Sequence, residues 1–290
     1  MPDAICAICP RACQSGAFCG KRGGVAVVAK AMIHMWEEPC VSGGNGSGTV
    51  FFAGCNLRCV FCQNHEISQT RPLIGVAHDA DRLAALFWDL QSQNAENINL
   101  VTPDHVLPIT REAIVIARRQ GIALPFIWNS NAYVNQKPLQ SLASLVDIFL
   151  PDLKYCDPVL SLRYAQAADY FFHAGNALCT MRDLVGLPQY GGNGMMRRGM
   201  MIRHLVLPGC RKDSMRLLDW LRANIPDVPL SLMAQYTPMH LAKQMKPLNR
   251  RLTGFEYESV LEYAMKIGLT VAYQQGRGAA TPTYTPDFLR

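Results

Sequence analysis

Cys55-Asn56-Leu57-Arg58-Cys59-Val60-Phe61-Cys62 sets three cysteines in a C-x₃-C-x₂-C run. Three thiolates this close can hold three irons of a cubic [4Fe–4S] cluster. Such clusters ordinarily take four cysteines, so one iron is left without a protein ligand from this loop. An open coordination position is what a catalytic metal needs. The same spacing also suits a structural zinc loop that borrows Cys40 or His65 as its fourth ligand. A second group precedes it: Cys6, Cys9, Cys13 and Cys19, with Pro10-Arg11 after the first pair. This quartet reads either as an auxiliary [4Fe–4S] cluster able to relay electrons or as a Zn(Cys)₄ knot, since C-x₂-C fits both. The chain has 11 cysteines, an odd number, and its 290 residues far exceed the small secreted scaffolds that disulfides staple. Clustered thiols here point to metal.

Something must position these thiols. Short apolar runs at 49–53, 97–101, 125–128, 146–150, 201–207 and 230–234 read as buried parallel strands. Helical patterns fall between and after them, at 79–93, 109–120, 138–144, 158–185 with a break, 213–224 and 254–267. Asp213-Ser214 and Thr253 are helix starts, Gly121 and Gly268 helix stops. Leu269 to Tyr273 adds an edge strand. Strand then helix, six times over, is an α/β fold with right-handed crossovers. A partial (β/α)₆ barrel of the TIM-like kind suits it, with the site at the strands' C-terminal ends; periodicity alone also allows a doubly wound sheet. Residues 1–48 are expected to be a Cys-rich extension, with 25–48 as a connector, and 49–290 the barrel. The stretch 186–199 reads as a loop, either a substrate lid or plain surface.

Composition narrows the class. Hydrophobic residues make up 49% and charged residues 17%. This supplies a core and excludes a disordered chain. No apolar run reaches the roughly 18 residues of a membrane span. The N-terminus lacks a basic start followed by an apolar stretch, so a cytoplasmic protein is expected. Net charge is +6, with only short basic clusters at Arg197-Arg198 and from Lys246 to Arg251. These are too sparse for a nucleic-acid partner.

C-x₃-C-x-aromatic-C after the first barrel strand, with Phe61 as the aromatic, resembles the hallmark of the radical S-adenosylmethionine (SAM) superfamily. Cys62-Gln63-Asn64, Asp152-Leu153-Lys154, Ile202-Arg203-His204-Leu205-Val206-Leu207-Pro208-Gly209 and Trp36-Glu37-Glu38-Pro39-Cys40, with the leading cysteines, resemble the pyruvate formate-lyase activating enzyme-like branch over nearly the whole chain. The resemblance implies a [4Fe–4S] cluster on Cys55, Cys59 and Cys62 whose open iron chelates SAM. Reductive cleavage then yields a 5′-deoxyadenosyl radical that takes hydrogen from a substrate. It further implies an electron donor such as flavodoxin or ferredoxin, and a glycyl-radical enzyme as the substrate. Two departures stand out. Val101-Thr102-Pro103-Asp104 occupies the place of the superfamily's Gly-Gly-Glu, and the extra cysteines precede the motif instead of following it.

SAM calls for a cation for its carboxylate, acceptors for its amino group and ribose, and a flat face for adenine. Lys154 suits the carboxylate, Asp152 the amino group or ribose, and Asn129, Ser130 and Asn131 the ribose, with turn capping as the other role of the two asparagines. Thr102 offers a carbonyl or hydroxyl. Phe61 and Asn64 belong to the motif. Arg203 is either a ligand contact or the partner of a neighbouring acid. Cys156 and Cys210 lie near the expected mouth, as thiyl or ligand candidates or as inert apolar groups; Cys179 reads as core. His65 and His240 are ambiguous. The alternatives to a glycyl-radical activase are a radical SAM enzyme for a small molecule or peptide, and a non-catalytic zinc or electron-carrying protein.

Overall fold

The computed structural model describes residues 5–14, 16–20, 23–274 and 286–288. Its strands are β1 (Ala26–His34), β2 (Ser47–Phe52), β3 (Val76–His78), β4 (Ile98–Val101), β5 (Phe126–Asn129), β6 (Ile148–Phe149), β7 (Gln189–Tyr190), β8 (Met196–Met200), β9 (Ile202–Leu205), β10 (Leu230–Met233) and β11 (Val271–Gln274). They form one sheet in the order β3-β1-β2-β4-β5-β6-β8-β7 and a second in the order β11-β10-β9. Neighbours from β2 through β8 are parallel, as are β9, β10 and β11. Only Met201 separates β8 from β9, and Arg203 still exchanges backbone hydrogen bonds with Pro151 and Leu153 (2.9 and 2.8 Å). These two strands are one bent strand that leaves the first sheet and enters the second. The six barrel strands are thus β2, β4, β5, β6, β8–β9 and β10, as the apolar runs predict.

The helices are α1 (Pro39–Ser42), α2 (His65–Ser68), α3 (Ala80–Ser92), α4 (Leu107–Arg119), α5 (Gln136–Gln140), α6 (Pro158–Ala165), α7 (Tyr170–Val185), α8 (Arg211–Asn224) and α9 (Gly254–Lys266). Local chemistry explains their ends. Asp79 caps α3 through the Arg82 N–H (2.9 Å), and Leu83, Phe87 and Leu90 form its buried stripe. Thr253 and Glu256 make a reciprocal capping box on α9. The break expected in 158–185 is real: Gln166 turns left-handed (φ 55°) and ends α6. Asp213 does not start α8, which begins at Arg211. Its carboxylate accepts instead from the Cys156 and Asp157 N–H groups (3.1 and 2.8 Å), pinning the loop after β6 to that helix.

The stretch 25–48 is not a plain connector. It holds the nine-residue β1, antiparallel to β2 in a register running from Val28↔Phe52 to His34↔Ser47. The boundary expected at residue 48 therefore falls inside β2. After β1 the chain passes beneath the barrel, where Cys40 and Val41 pack with Ile127, Ile148, Leu150, Met196 and Met201. The apolar residues of α1 fill the lumen from below, as a packed barrel requires. The stretch 186–199 likewise is not all loop, since β7 pairs with β8 in a hairpin. Among the described residues no helix is long and apolar enough to cross a membrane.

Candidate active site at the strands' C-terminal ends

A cavity of about 290 Å³ opens at the C-terminal ends of the barrel strands. Cys55, Cys59 and Cys62 line it, together with Phe61, Asn64, Thr102, Asn129, Asn131, Asp152, Lys154 and Arg203. Residues scattered from Cys55 to Arg203 therefore face one space: most follow a strand's C-terminal end, and Arg203, within β9, lies below them.

The cysteine loop leaves β2 at Gly54, whose φ of +89° favours glycine; a Cβ there would lie 2.2 Å from the Cys19 carbonyl oxygen. Backbone bonds then fix the loop: the Arg58 and Val60 N–H groups donate to Ala165 and Tyr164 carbonyls (3.2 and 2.9 Å), and the Val60 carbonyl accepts from Ala242 N–H (2.9 Å). The sulfurs are met by donors. Leu57 N–H and Asn131 Nδ2 both lie 3.4 Å from Cys55 Sγ, and Ser68 Oγ lies 3.3 Å from Cys62 Sγ. All three thiols are free. Burial, with weaker repulsion among the sulfurs, pushes Cys55 and Cys59 up to about 12. Without a cation they stay protonated; as ligands they are deprotonated by the metal's charge.

Beside the thiols, Lys154 Nζ donates to Asp152 Oδ2 at 2.6 Å. Burial disfavours the ammonium, but the carboxylate of Asp152 and then the Cys59 sulfur more than offset this and hold its pKa above the ordinary value. Lys154 keeps further N–H donors, and Asp152 a second oxygen, for a ligand. Tyr170, which the sequence reading missed, organises this corner. Its buried hydroxyl accepts from Lys154 N–H (3.1 Å) and lies 2.9 Å from the Asp152 carbonyl and 3.1 Å from that of Asn131. No motif marked it; only the return of α7 onto the strand ends brings it there.

The remaining expected ligands divide. Asn129 ends β5 on the cavity wall. Asn131 lines the cavity too, but its amide is engaged: it donates to Asn56 Oδ1 (2.7 Å) and Cys55 and accepts from Tyr133 N–H (2.9 Å). It positions the cysteine loop. Thr102 sits left-handed, with φ 53° and ψ 51°. That is strained for a β-branched residue and of the kind that clusters at functional sites. Its carbonyl lies 3.1 Å from His105 Nδ1, which takes one of the two acceptor positions of that oxygen. Beneath it Asp104 is fully buried and accepts from Trp128 Nε1 (2.9 Å) and Ser130 Oγ (2.8 Å), so Ser130 serves the frame. Burial pushes Asp104 up to about 6 despite these bonds. Arg203 meets Glu37 and Glu38 on the cavity floor, through Nη2 to Glu37 (2.6 Å) and Nε to Glu38 (3.0 Å). Phe61 packs edge-on against Tyr155 and Tyr236 (6.5 and 5.9 Å). Asn64 opens α2, its carbonyl accepting from Ser68 N–H (2.9 Å).

Cys156, Cys179, Cys210 and His240 do not line this cavity. His240 stacks on His65 instead, with centroids 4.6 Å apart. Thr237 does line it, and its Oγ1 is shielded from solvent with no hydrogen-bond partner among the described residues, a polar atom waiting for a ligand. Three inward thiols, an adjoining ammonium–carboxylate pair, strand-end amides and one orphaned hydroxyl fit a three-cysteine cluster with SAM beside it. The quartet Cys6, Cys9, Cys13 and Cys19 lines a separate cavity of about 10 Å³, packed on Asn56 and His105. Burial, against a bond from Arg11, pushes Cys9 up to about 11. Among the described residues no group of three or more His, Cys, Asp or Glu side chains is already arranged around a single ion.

No family model matches the chain. It is 29% identical over 252 residues to an uncharacterised protein of Methanocaldococcus jannaschii, covering 83% of this chain and 68% of that one. SuiB of Streptococcus suis, in a structure with bound S-adenosylmethionine, superposes with a TM-score of 0.51 at 12% identity, over 79% of this chain and 50% of that one. Native anSMEcpe with bound AdoMet gives 0.51 at 12% identity, over 77% of this chain and 61% of that one. The chain spans about half to three-fifths of the length of these two. Both hold S-adenosylmethionine in those structures, and the chain shares their partial-barrel fold.

Proposed function

We propose that the chain is a radical SAM enzyme with its cluster on Cys55, Cys59 and Cys62. The observation that carries this is that all three thiols open into one strand-end cavity beside the Lys154–Asp152 pair. Bound there, a [4Fe–4S] cluster supplies the electron that splits SAM and so generates the 5′-deoxyadenosyl radical that removes a substrate hydrogen. The chain's own part is placement. Lys154 holds the SAM carboxylate, the free oxygen of Asp152 takes its amino group or ribose, and Asn129 and Thr237 bond along the cavity wall. Tyr170 keeps the strand ends in register, and Phe61 with Tyr236 excludes water from the cluster side.

The cavity, at about 290 Å³, is small. Small-molecule sites start at roughly 300 Å³ and extend to about three times that. SAM takes most of the space, so substrate reaches in from the rim. That favours a residue of a peptide or protein as hydrogen donor, and SuiB has been seen bound to its precursor peptide SuiA. A glycine of a glycyl-radical enzyme falls within this class. The electron comes from a low-potential carrier of the flavodoxin or ferredoxin kind. For the quartet the reading taken is a single zinc on Cys6, Cys9, Cys13 and Cys19, which C-x₂-C spacing suits; a second [4Fe–4S] cluster is the alternative.

Anaerobic reconstitution with iron and sulfide tests the main reading. Dithionite-reduced protein should hold about four irons in this loop's cluster and form 5′-deoxyadenosine from SAM, and Cys59→Ala should do neither. Iron-loaded, reduced protein that leaves SAM intact overturns the reading in favour of an electron carrier. A colourless zinc protein overturns it in favour of a structural metalloprotein.

A further inference from the structure

The quartet segment grips the backbone of the cysteine loop. Arg11, between Cys9 and Cys13, donates through Nε to the Asn56 carbonyl (3.0 Å). Its Nη atoms donate to the carbonyls of Ala165 (3.2 Å) and Gln166 at the end of α6. Arg58, between Cys55 and Cys59, reaches back. It donates to the Cys55 and Leu57 carbonyls (3.0 and 3.2 Å) and to the carbonyl of Phe18, the residue before Cys19. Both guanidiniums lie over the Phe18 ring, 4.0 and 4.2 Å from its centroid. Arg71 Nη2 adds a third cation at the Phe18 carbonyl (2.9 Å). Residues 5–20 carry no Asp or Glu. Among the described residues none of these three arginines has an ion-pair partner. Three cations gathered on one phenylalanine repel one another. The ring face attracts them but does not neutralise them. A metal-loaded quartet does: four thiolates around Zn²⁺ or a [4Fe–4S]²⁺ core carry a net charge of about −2 in either case.

We infer that metal in the quartet holds the Cys55–Cys62 loop in the shape that keeps its cluster, and that Arg11 is the positioning residue through which it does so. The inference rests on reading Cys55, Cys59 and Cys62 as the cluster loop and the quartet as a metal site, and it is the same for either metal. Metal binding deprotonates the four thiols and creates the negative centre. That centre draws Arg11 and Arg58 against Phe18, and their N–H groups then fix the carbonyls of Cys55, Asn56 and Leu57. The aim of the Cys55 and Cys59 sulfurs depends on this backbone. Capping the end of α6 needs only the Ala165 and Gln166 carbonyls; the bond to Asn56, 45 residues from Arg11, is what reaches the loop.

The test is a double-mutant cycle on the full-length reconstituted enzyme. Arg11→Gln removes the reach to the loop, Cys9→Ser with Cys13→Ser empties the quartet, and a third variant carries all three changes. Bound metals are counted in each protein. The SAM-responsive EPR signal of the dithionite-reduced protein, which reports the loop cluster alone, is then timed as it decays under an anaerobic iron chelator. Arg11→Gln should keep the quartet's metal and lose the signal about tenfold faster or more, the scale of a lost hydrogen bond from a charged donor. The emptied quartet should lose it at least as fast, and the combined variant no faster than the emptied one, because Arg11 and the quartet act as one unit. Arg11→Lys, which keeps the charge, should recover part of the lifetime, and it carries the test if Arg11→Gln does not fold. Equal lifetimes in Arg11→Gln and wild type overturn the inference, as do multiplying effects in the combined variant. Loss of the quartet's metal from Arg11→Gln also overturns it, since the arginine then serves the quartet and not the loop. Freely titratable quartet thiols in folded wild type overturn it while the radical SAM reading stands. Wild type with no SAM-responsive signal overturns both.

Discussion

Arg203 and Glu38 stand 165 residues apart and meet under the cavity, Nε to Oε1 at 3.0 Å, both nearly shut off from solvent. Burial alone would raise the glutamate's pKa, but Arg203 reverses this and holds it below the ordinary carboxylate range. The pair fastens the segment that closes the barrel from below to the bent β8–β9 strand. A single replacement, Arg203→Met, leaves a buried carboxylate without its cation and should cost about 3–5 kcal/mol in denaturant unfolding. A loss under about 1 kcal/mol, the scale of an exposed pair, would mean that the floor is held by apolar packing alone.

Asp104 makes stability depend on pH in the opposite sense to an ordinary paired acid. Its folded value is about 6. That lies above the roughly 3.9 of an unfolded aspartate, so the protonated form favours folding. The stabilisation is complete below about pH 4 and is lost as pH rises through 6, by about 3 kcal/mol at about 1.36 kcal/mol per pH unit. The unfolding free energy of wild type minus that of Asp104→Asn should therefore fall between pH 4 and 7.5. A difference that stays level across this range would show that Asp104 does not titrate in it.

Lys154 should act on SAM and not on the cluster. A charge-assisted hydrogen bond is worth about 1.5–3 kcal/mol, so Lys154→Ala should weaken SAM binding roughly 10- to 150-fold. Iron content should not change. Asn131→Ala should show the reverse pattern, because its amide supports Cys55 and Asn56 (3.4 and 2.7 Å): cluster retention falls first. Identical iron loss in both variants would contradict this division of roles.

The quartet is isolated by changing Cys55, Cys59 and Cys62 together to Ala. That variant should bind one zinc per chain and stay colourless, and removing the zinc with a chelator should loosen residues 5–20 to proteolysis. Charge-transfer absorbance with about four irons would instead establish a second cluster, and four freely titratable thiols in the folded chain would exclude a metal there.

The contiguous features were legible from residues alone. C-x₃-C-x₂-C lies in eight consecutive residues, so its chemistry needs no fold to be seen, and six apolar runs with helical patterns between and after them define βα units because burial on both faces leaves a near-continuous apolar strand. The strand-end positions of Asn129, Asp152 and Lys154 follow from that alternation. What those side chains touch was decided by tertiary structure. Asn131 turns to the cysteine loop, and Arg203 to two glutamates 165 and 166 positions away. Tyr170 is set into the strand ends by the return of α7. The same holds for β1: Ala26–His34 is apolar enough for a strand, but only its pairing with β2 and β3 makes it one. Spacing records which groups are neighbours along the chain. Partners across the barrel are chosen by packing, where burying an unpaired charge or donor costs more than any local preference supplies.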